Sequence, residues 1–582
     1  MFSSIASKLN IFRSADSRIK QPGGLIAAIL PYLLVSGVLM GLTALFESYG
    51  GLGGLWWHKI IELPLALYLY HLFRQFLYNR RFSGILAALP VVFLYIMIDA
   101  YFLVFKRVFR LSEINELSEL FDVLPWYFSV LMGLAVVVPL VWMLTRMRIH
   151  SYKRLALSVV PGLLLVGALV LRPDVFLQGF NSLANGIVEW SDEKSVHDNG
   201  RLSMVLYQEA KRRAAIRKAR EYVDDPIYDE QFQEKLTALE TTLKPRNVHI
   251  IVMESYFDPG RLANLNLSQD AVHPEFKKLL VNDGFGELST SPVWGGYTPQ
   301  AEFEFLCGVR ALQQLGTIEF NVMTGVPVHC MPEVLAKSGY QTISTRGYKP
   351  FFFNSISAIK ATGFAENYYA REYAPNRKTY LSTGDVTAEK YLFDTPLFDQ
   401  NLAFLKERMA SQPDKPILNY VLTIYGHFPF KIDESVRPRV IKPLGPAETD
   451  EELNILLNQI YYRSEATARY VAQLTEADPD GLIILVSDHL PPLRKGINEY
   501  KRLGYMAGEE DPNHQTFLAV IDRGKPYKVG KQHHYDIPQL VYQLLSDKQY
   551  CEQSGSLCAP RNEKEQSDDY MRLMAHAVAD PK

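Results

Sequence analysis

The stretch LIILVSDH, residues 482–489, packs five apolar residues before Ser487, Asp488 and His489. A short unbroken apolar run of this kind, closed by polar residues, marks a strand buried on both faces. Three more runs repeat it: VHIIVME from Val248, YQTIST from Tyr340 and ILNYVLTIYGH from Ile417. Amphipathic stretches separate them, so the region from Pro245 onward reads as an α/β domain with a mainly parallel sheet and crossover helices. In such a sheet ligands bind beyond the carboxyl ends of the strands, where the loops converge on one crevice. Glu254, Arg346, His427, Asp488 and His489 all stand at those ends.

Glu254, Asp488 and His489 together offer two carboxylates and an imidazole to one divalent ion. Mixed oxygen and nitrogen ligation suits Mn²⁺ or Zn²⁺ better than Ca²⁺. A second stretch, GGYTPQAEFEFLCG at 295–308, places Thr298 between two glycines and a proline. Two readings of Thr298 stand side by side. As a helix cap it has Pro299 in the first turn and acids that favour the helix dipole. As a nucleophile it has a helix start whose N–H groups hold a phosphate, and an oxygen that a metal can activate.

The first 172 residues differ in kind. Apolar runs at Gly23–Phe46, Leu55–Tyr78, Phe82–Phe105, Leu124–Thr145 and Leu155–Leu171 are expected to be five membrane spans, since a span needs about 20 apolar residues. Lys and Arg gather at Lys8–Lys20, Arg74–Arg81 and Arg146–Arg154, while Lys106, Arg107 and Arg110 count the other way. The majority places the N-terminus inside, and an odd number of spans puts everything after Arg172 outside the cytoplasm. Asp99, inside an apolar run, is expected either to serve a function or to reach water at the outer end. Residues 173–245 read as a charged juxtamembrane linker with helical spacing and no apolar core of its own.

With 61 basic and 63 acidic residues and no basic stripe interleaved with aromatics, a nucleic-acid partner is excluded. Cys551 and Cys558 flank EQSGSL and suit a disulfide loop in an oxidising space, whereas Cys307 and Cys330 read equally as buried thiols.

The ordered set MES at 253–255, GGYTPQAEFEFLCG, YGHFPF at 425–430 and VSDH at 486–489 resembles the lipoteichoic acid synthase group of membrane phosphoglycerol transferases, in the alkaline phosphatase/sulfatase superfamily. The resemblance implies five spans followed by an extracytoplasmic sulfatase-like domain over 246–582, in a bacterial cytoplasmic membrane. It implies one divalent ion, Mn²⁺ ahead of Zn²⁺ or Mg²⁺, on Glu254, Thr298, Asp488 and His489. Thr298 would take a glycerophosphate group from phosphatidylglycerol, and a cell-envelope glycan or polyglycerol phosphate would receive it. His427 would contact the phosphoglycerol group. The segment TRGYKPFFFNS at 345–355 departs from the family pattern: Arg346 stands at a histidine position, Phe353 at a tryptophan and Ser355 at a substrate-binding arginine. Arg346 is therefore expected to supply the phosphate-facing cation. KQHHYDIPQLVYQLL at 531–545 resembles the superfamily's closing strand and helix, with His533 and His534 as possible lining of the site.

Three other readings compete. A phosphoethanolamine transferase would share fold, metal site and nucleophile. A sulfatase or phosphatase would use water as acceptor, but Thr298-Pro-Gln-Ala lacks the formylglycine context. A degenerate membrane sensor would have no reason to keep Glu254, Thr298, Asp488 and His489.

Overall fold

A computed structural model describes residues 22–579, apart from 55–59, 78–82, 106–107, most of 117–150, and the short segments 188–191, 282–283, 312–314, 385, 387 and 494–495. The chain forms two compact units, residues 1–214 and 215–582.

Among the described residues of the first unit, three helices are long and apolar enough to cross a membrane: Ala28–Ser48, Ser83–Leu103 and Tyr152–Leu171. The expected span Leu55–Tyr78 contains a helix of 14 residues, Glu62–Gln75, shorter than a bilayer crossing requires. The expected span Leu124–Thr145 lies largely outside the described residues.

Asp99 does not reach water. It is buried, and its carboxylate takes Arg201 Nε at 2.7 Å and Nη2 at 2.9 Å. Glu62, also buried, accepts Tyr95 Oη at 2.5 Å and the Leu202 and Ser203 N–H groups at 3.1 and 2.9 Å. Those two amides belong to the first turn of the helix Arg201–Ala219, where donors lack partners within the helix and negative charge is favoured. Both acids thus seat a helix start.

The expected linker has no separate body. Val196, Leu202 and Val205 pack with Leu39, Tyr70 and Tyr95 in the first unit. Tyr228, Phe232 and Leu239 join the core of the second.

The second unit is built on a nine-stranded mixed sheet. Its strands are β1 (Val248–Met253), β3 (Glu287–Thr290), β4 (Gln341–Arg346), β5 (Glu366–Tyr369), β6 (Ile417–Leu422), β8 (Leu482–Ser487), β9 (Gln515–Asp522), β10 (Lys525–Tyr527) and β11 (Gln532–His533). A separate ribbon pairs β2 (Asn266–Leu267) with β7 (Pro443–Leu444). The order is β11-β3-β9-β8-β1-β6-β4-β5, with β10 on β9. The run from β8 to β5 is parallel, while β9 lies antiparallel to β8, β3 and β10.

Every residue of β1, β6 and β8 is buried, as continuous apolar runs in a sheet covered on both faces require. One face carries Ile250, Val252, Tyr420 and Ile484, the other Ile251, Val421 and Leu485. All four cysteines are paired, Cys307 with Cys330 and Cys551 with Cys558.

Ile484, fully buried in β8 between β1 and β9, sets a test of this core. Ile484→Ala should lower the unfolding free energy by about 2–4 kcal/mol, read by urea unfolding in detergent; an unchanged midpoint would contradict the sheet order.

Candidate active site

Register builds the site. β1 and β8 run parallel with Val252 opposite Val486 and Met253 opposite Ser487, so Glu254 and Asp488 leave the sheet side by side. On the other flank Val252 faces Leu422 of β6, and Thr423 just beyond accepts the Glu254 N–H at 3.0 Å on its hydroxyl. The chain then turns through Gly426. A Cβ there would lie 2.2 Å from both the Glu254 carbonyl oxygen and the Arg463 guanidinium. Only glycine brings His427 past the Glu254 backbone so closely.

Thr298 enters from outside the sheet. Gly295, Gly296 and Tyr297 have φ of 66°, 149° and 66°, a left-handed turn that two glycines make accessible. The helix Thr298–Cys307 follows, with Tyr297 as its flanking residue and no side-chain cap. The capping reading therefore fails. Thr298 Oγ1 instead donates to Asp488 Oδ2 at 2.8 Å and lies 3.1 Å from Glu254 Oε2. It remains partly exposed.

The protons do not suffice for these contacts. A threonine hydroxyl has one proton and cannot donate to both carboxylates at once. His489 Nδ1 lies 2.9 Å from the Leu490 carbonyl oxygen, which assigns the ring proton to that nitrogen. Its Nε2 is left as a buried lone pair with no hydrogen-bond partner, 3.2 Å from Asp488 Oδ2 and 3.7 Å from Glu254 Oε1. Ligand atoms of Glu254, Asp488 and His489 all lie within 4.8 Å of one another. Converging lone pairs of this kind fit a divalent cation.

Neighbouring donors fix the acids. Ser255 N and His489 N each donate to Asp488 Oδ1 at 2.8 Å, and Ser255 Oγ donates to Glu254 Oε1 at 2.7 Å. Burial, with the Glu254 charge beside it, pushes Asp488 up to about 6.

His427 is half-buried, its Nδ1 2.6 Å from the Phe428 carbonyl oxygen and 3.2 Å from Tyr391 Oη. Nδ1 therefore carries the proton, and Nε2 is an acceptor. Burial pushes its pKa down to about 4, so the ring is neutral at ordinary pH. Tyr348 stacks against it at 6.4 Å.

Arg346 behaves otherwise than expected. Its Nη1 and Nη2 donate to Glu302 at 2.5 and 2.6 Å, and Tyr420 Oη donates to the same carboxylate at 2.8 Å. The guanidinium is buried and turned to the helix Thr298–Cys307, where its paired donors on Glu302 position that helix. Ser355 is buried against Tyr369 Oη at 2.9 Å. His533 lies on the surface, stacked on Tyr535, while His534 is buried against Phe305 and 3.2 Å from Thr516 Oγ1. Thr423 directly follows β6 but carries no motif of its own in the sequence. Tyr391 lies in EKYLFD, where no periodicity marks it.

Residues 246–562, more than half of the chain, match the family model Sulfatase. A protein of Rhizobium meliloti (strain 1021) named "Putative cyclic beta-1,2-glucan modification protein" is 24% identical over 265 residues, which are 45% of this chain and 38% of that relative. The match thus spans under half the length of the relative. Among solved structures, the phosphoglycerol transferase GacH of Streptococcus pyogenes, in complex with sn-glycerol-1-phosphate, is 16% identical, with a TM-score of 0.47 over 61% of this chain and 92% of its own. The lipoteichoic acid synthase LtaP of Listeria monocytogenes is 19% identical, with a TM-score of 0.41 over 53% and 73%. The C-terminal periplasmic domain of EcEptC from Escherichia coli, in complex with Zn, is 16% identical, with a TM-score of 0.36 over 52% and 83%.

Asp488 gives the site a pH dependence. Its folded pKa stands above that of an ordinary carboxylate, so the metal-free fold loses stability as pH rises from about 4 through 6. A metal must also displace that proton. Mn²⁺ should raise the melting temperature clearly at about pH 7.5 and far less at about pH 5, and Glu254→Gln should blunt the shift at the higher pH. Equal shifts at both pH values would rule out Asp488 as a ligand.

Proposed function

The chain belongs to the Sulfatase family, and from that premise we propose that it transfers a glycerophosphate group from phosphatidylglycerol to a glycan or polyglycerol phosphate acceptor. The observation that carries the reading is Thr298 Oγ1, partly exposed at a helix start and within 3.1 Å of two buried carboxylates. A structural threonine has no need of that company.

Glu254, Asp488, His489 and Thr298 would hold one divalent cation, Mn²⁺ ahead of Zn²⁺ or Mg²⁺. When bound, the cation supplies positive charge that favours the deprotonated hydroxyl and offsets charge on the phosphate. The remaining chemistry belongs to the chain. Thr298 Oγ passes its proton to Asp488 Oδ2, against which it already lies at 2.8 Å, and attacks the lipid phosphorus, while the bond to the diacylglycerol oxygen breaks and that oxygen takes a proton from solvent. A glycerophospho-threonine results. The dipole of the helix Thr298–Cys307, whose positive end lies at Thr298, would favour the phosphate's negative charge. An acceptor hydroxyl then attacks the same phosphorus, and neutral His427 Nε2 would take its proton. The bond from phosphorus to Thr298 Oγ breaks in that attack, and Asp488 returns the proton to the threonine oxygen.

A glycan acceptor is supported by the Rhizobium relative, whose name specifies glucan modification. Placement of the catalytic domain outside the cytoplasm is supported by the pairing of all four cysteines. The apolar helices before residue 172 would keep residues 246–582 at the lipid surface where the donor resides.

Purified protein with Mn²⁺ should release diacylglycerol from phosphatidylglycerol and show a glycerophosphoryl mass adduct on Thr298. Thr298→Ala should lose the adduct and lower turnover by about a thousandfold or more. Phosphatidylethanolamine, run in parallel, separates the phosphoethanolamine alternative. Consumption of neither lipid would end the transferase reading.

A further inference from the structure

With Arg346 committed to Glu302, a doubly anchored phosphate needs its positive charge from another element. One short turn supplies it. Glu389, Lys390 and Tyr391 form a tight reversal in which Lys390 N donates to Val386 O at 2.8 Å and Tyr391 N to Glu389 O at 2.8 Å. Both neighbours of Lys390 are latched to the loop that carries His427. Glu389 is buried, and its Oε1 accepts Tyr425 Oη at 2.7 Å, Asp433 N at 2.9 Å and Arg437 Nε at 2.9 Å. Tyr391 is buried, with its hydroxyl 3.2 Å from His427 Nδ1 and 3.0 Å from the Phe428 carbonyl oxygen.

Lys390 is thus pinned from both sides and is itself half-buried. Its ammonium sits 5.3 Å from the Tyr391 ring centroid, and that ring lies 5.4 Å from the His427 ring. The backbone at Lys390 has φ of 69°, a left-handed conformation that fixes the direction in which its side chain leaves the turn. The positive charge of Lys390 is one of the influences that keep His427 neutral.

We propose that Lys390 is the cation that holds the donor phosphodiester beside Thr298 and His427, and that its charge selects headgroups ending in an uncharged polyol over those ending in an ammonium. The selection follows from sign. An ammonium on the far side of the phosphate would approach Lys390 in a partly buried site, where like charges repel more strongly than in bulk water. A glycerol hydroxyl brings no such cost and accepts a hydrogen bond from the lysine. The inference rests on the transferase reading, and it names Lys390 as the residue that separates phosphatidylglycerol from phosphatidylethanolamine.

The test uses the full chain loaded with Mn²⁺ and three forms: wild type, Lys390→Met and Lys390→Arg. Binding of sn-glycerol 1-phosphate, followed by calorimetry, is measured beside diacylglycerol release from vesicles of either lipid in a phosphatidylcholine carrier. Lys390→Met should weaken glycerophosphate binding and raise KM for phosphatidylglycerol by about ten- to a hundredfold, the size of one lost charged hydrogen bond. It should lower kcat less and narrow the preference for phosphatidylglycerol over phosphatidylethanolamine, while Lys390→Arg restores binding. Wild-type binding and an unchanged lipid preference in Lys390→Met would overturn the proposal even if the protein cleaves lipid normally. Failure of the wild type to cleave either lipid would instead sink the transferase reading, and the binding comparison would still decide for or against Lys390.

Discussion

Two carboxylates that should avoid each other are held together at the end of the sheet. Glu254 and Asp488 are both buried, and strand register gives them no choice, because Met253 and Ser487 are partners in adjacent parallel strands. Two ionised acids about 5 Å apart repel by about 3 kcal/mol at an effective dielectric of about 20. The site answers in several ways. Ser255 and His489 donate backbone N–H groups to Asp488, Ser255 donates its hydroxyl to Glu254, and Asp488 keeps a proton to higher pH than an exposed carboxylate would. The His489 lone pair adds a third negative edge that no proton in the protein satisfies. The arrangement fits a divalent cation among these groups, with Thr298 Oγ1 beside both carboxylates.

Buried ion pairs recur wherever segments distant in sequence must keep a fixed relation. Arg463 donates to Asp394 and Thr423 beneath the site, Arg346 holds Glu302 on the helix that carries Thr298, and Asp99 holds Arg201 in the first unit. Such pairs gain little net stability, because desolvation offsets most of their attraction. Losing one partner is another matter, since the remaining charge is then buried alone. Their use here is positional: each fixes a helix start or a strand end that apolar packing alone would leave free to slide.

The second unit was largely legible. Continuous apolar runs announced β1, β6 and β8, and the rule that ligands gather at strand carboxyl ends brought Glu254, Asp488 and His489 together without any coordinates. Burial on both faces leaves a strand no alternation to hide behind. Arg346 exposes the limit of that rule. It does end a strand, but a strand end specifies a position and not the direction of a long side chain, and buried Glu302 outcompetes the crevice for the guanidinium. Asp99 shows the same limit in the first unit, because its partner lies in a segment that reads as a plain charged helix. The two units also divide the expected linker between them, since the few apolar residues at Val196–Val205 and Tyr228–Leu239 are too sparse to form a periodic signal yet enough to join a core.

By itself the sequence determined which segments become buried strands, where three membrane-compatible helices lie, and which residue types arrive at one end of the sheet. Those are local properties, fixed by apolar runs and by the residues that close them. Only the tertiary structure decided that Thr298 turns to the carboxylates instead of capping its helix, that Arg346 serves Glu302, and that Lys390 stands beside the loop of His427. Each of these outcomes depends on where a side chain finds its partner, and those partners come from segments whose spacing along the chain carries no trace of their contact.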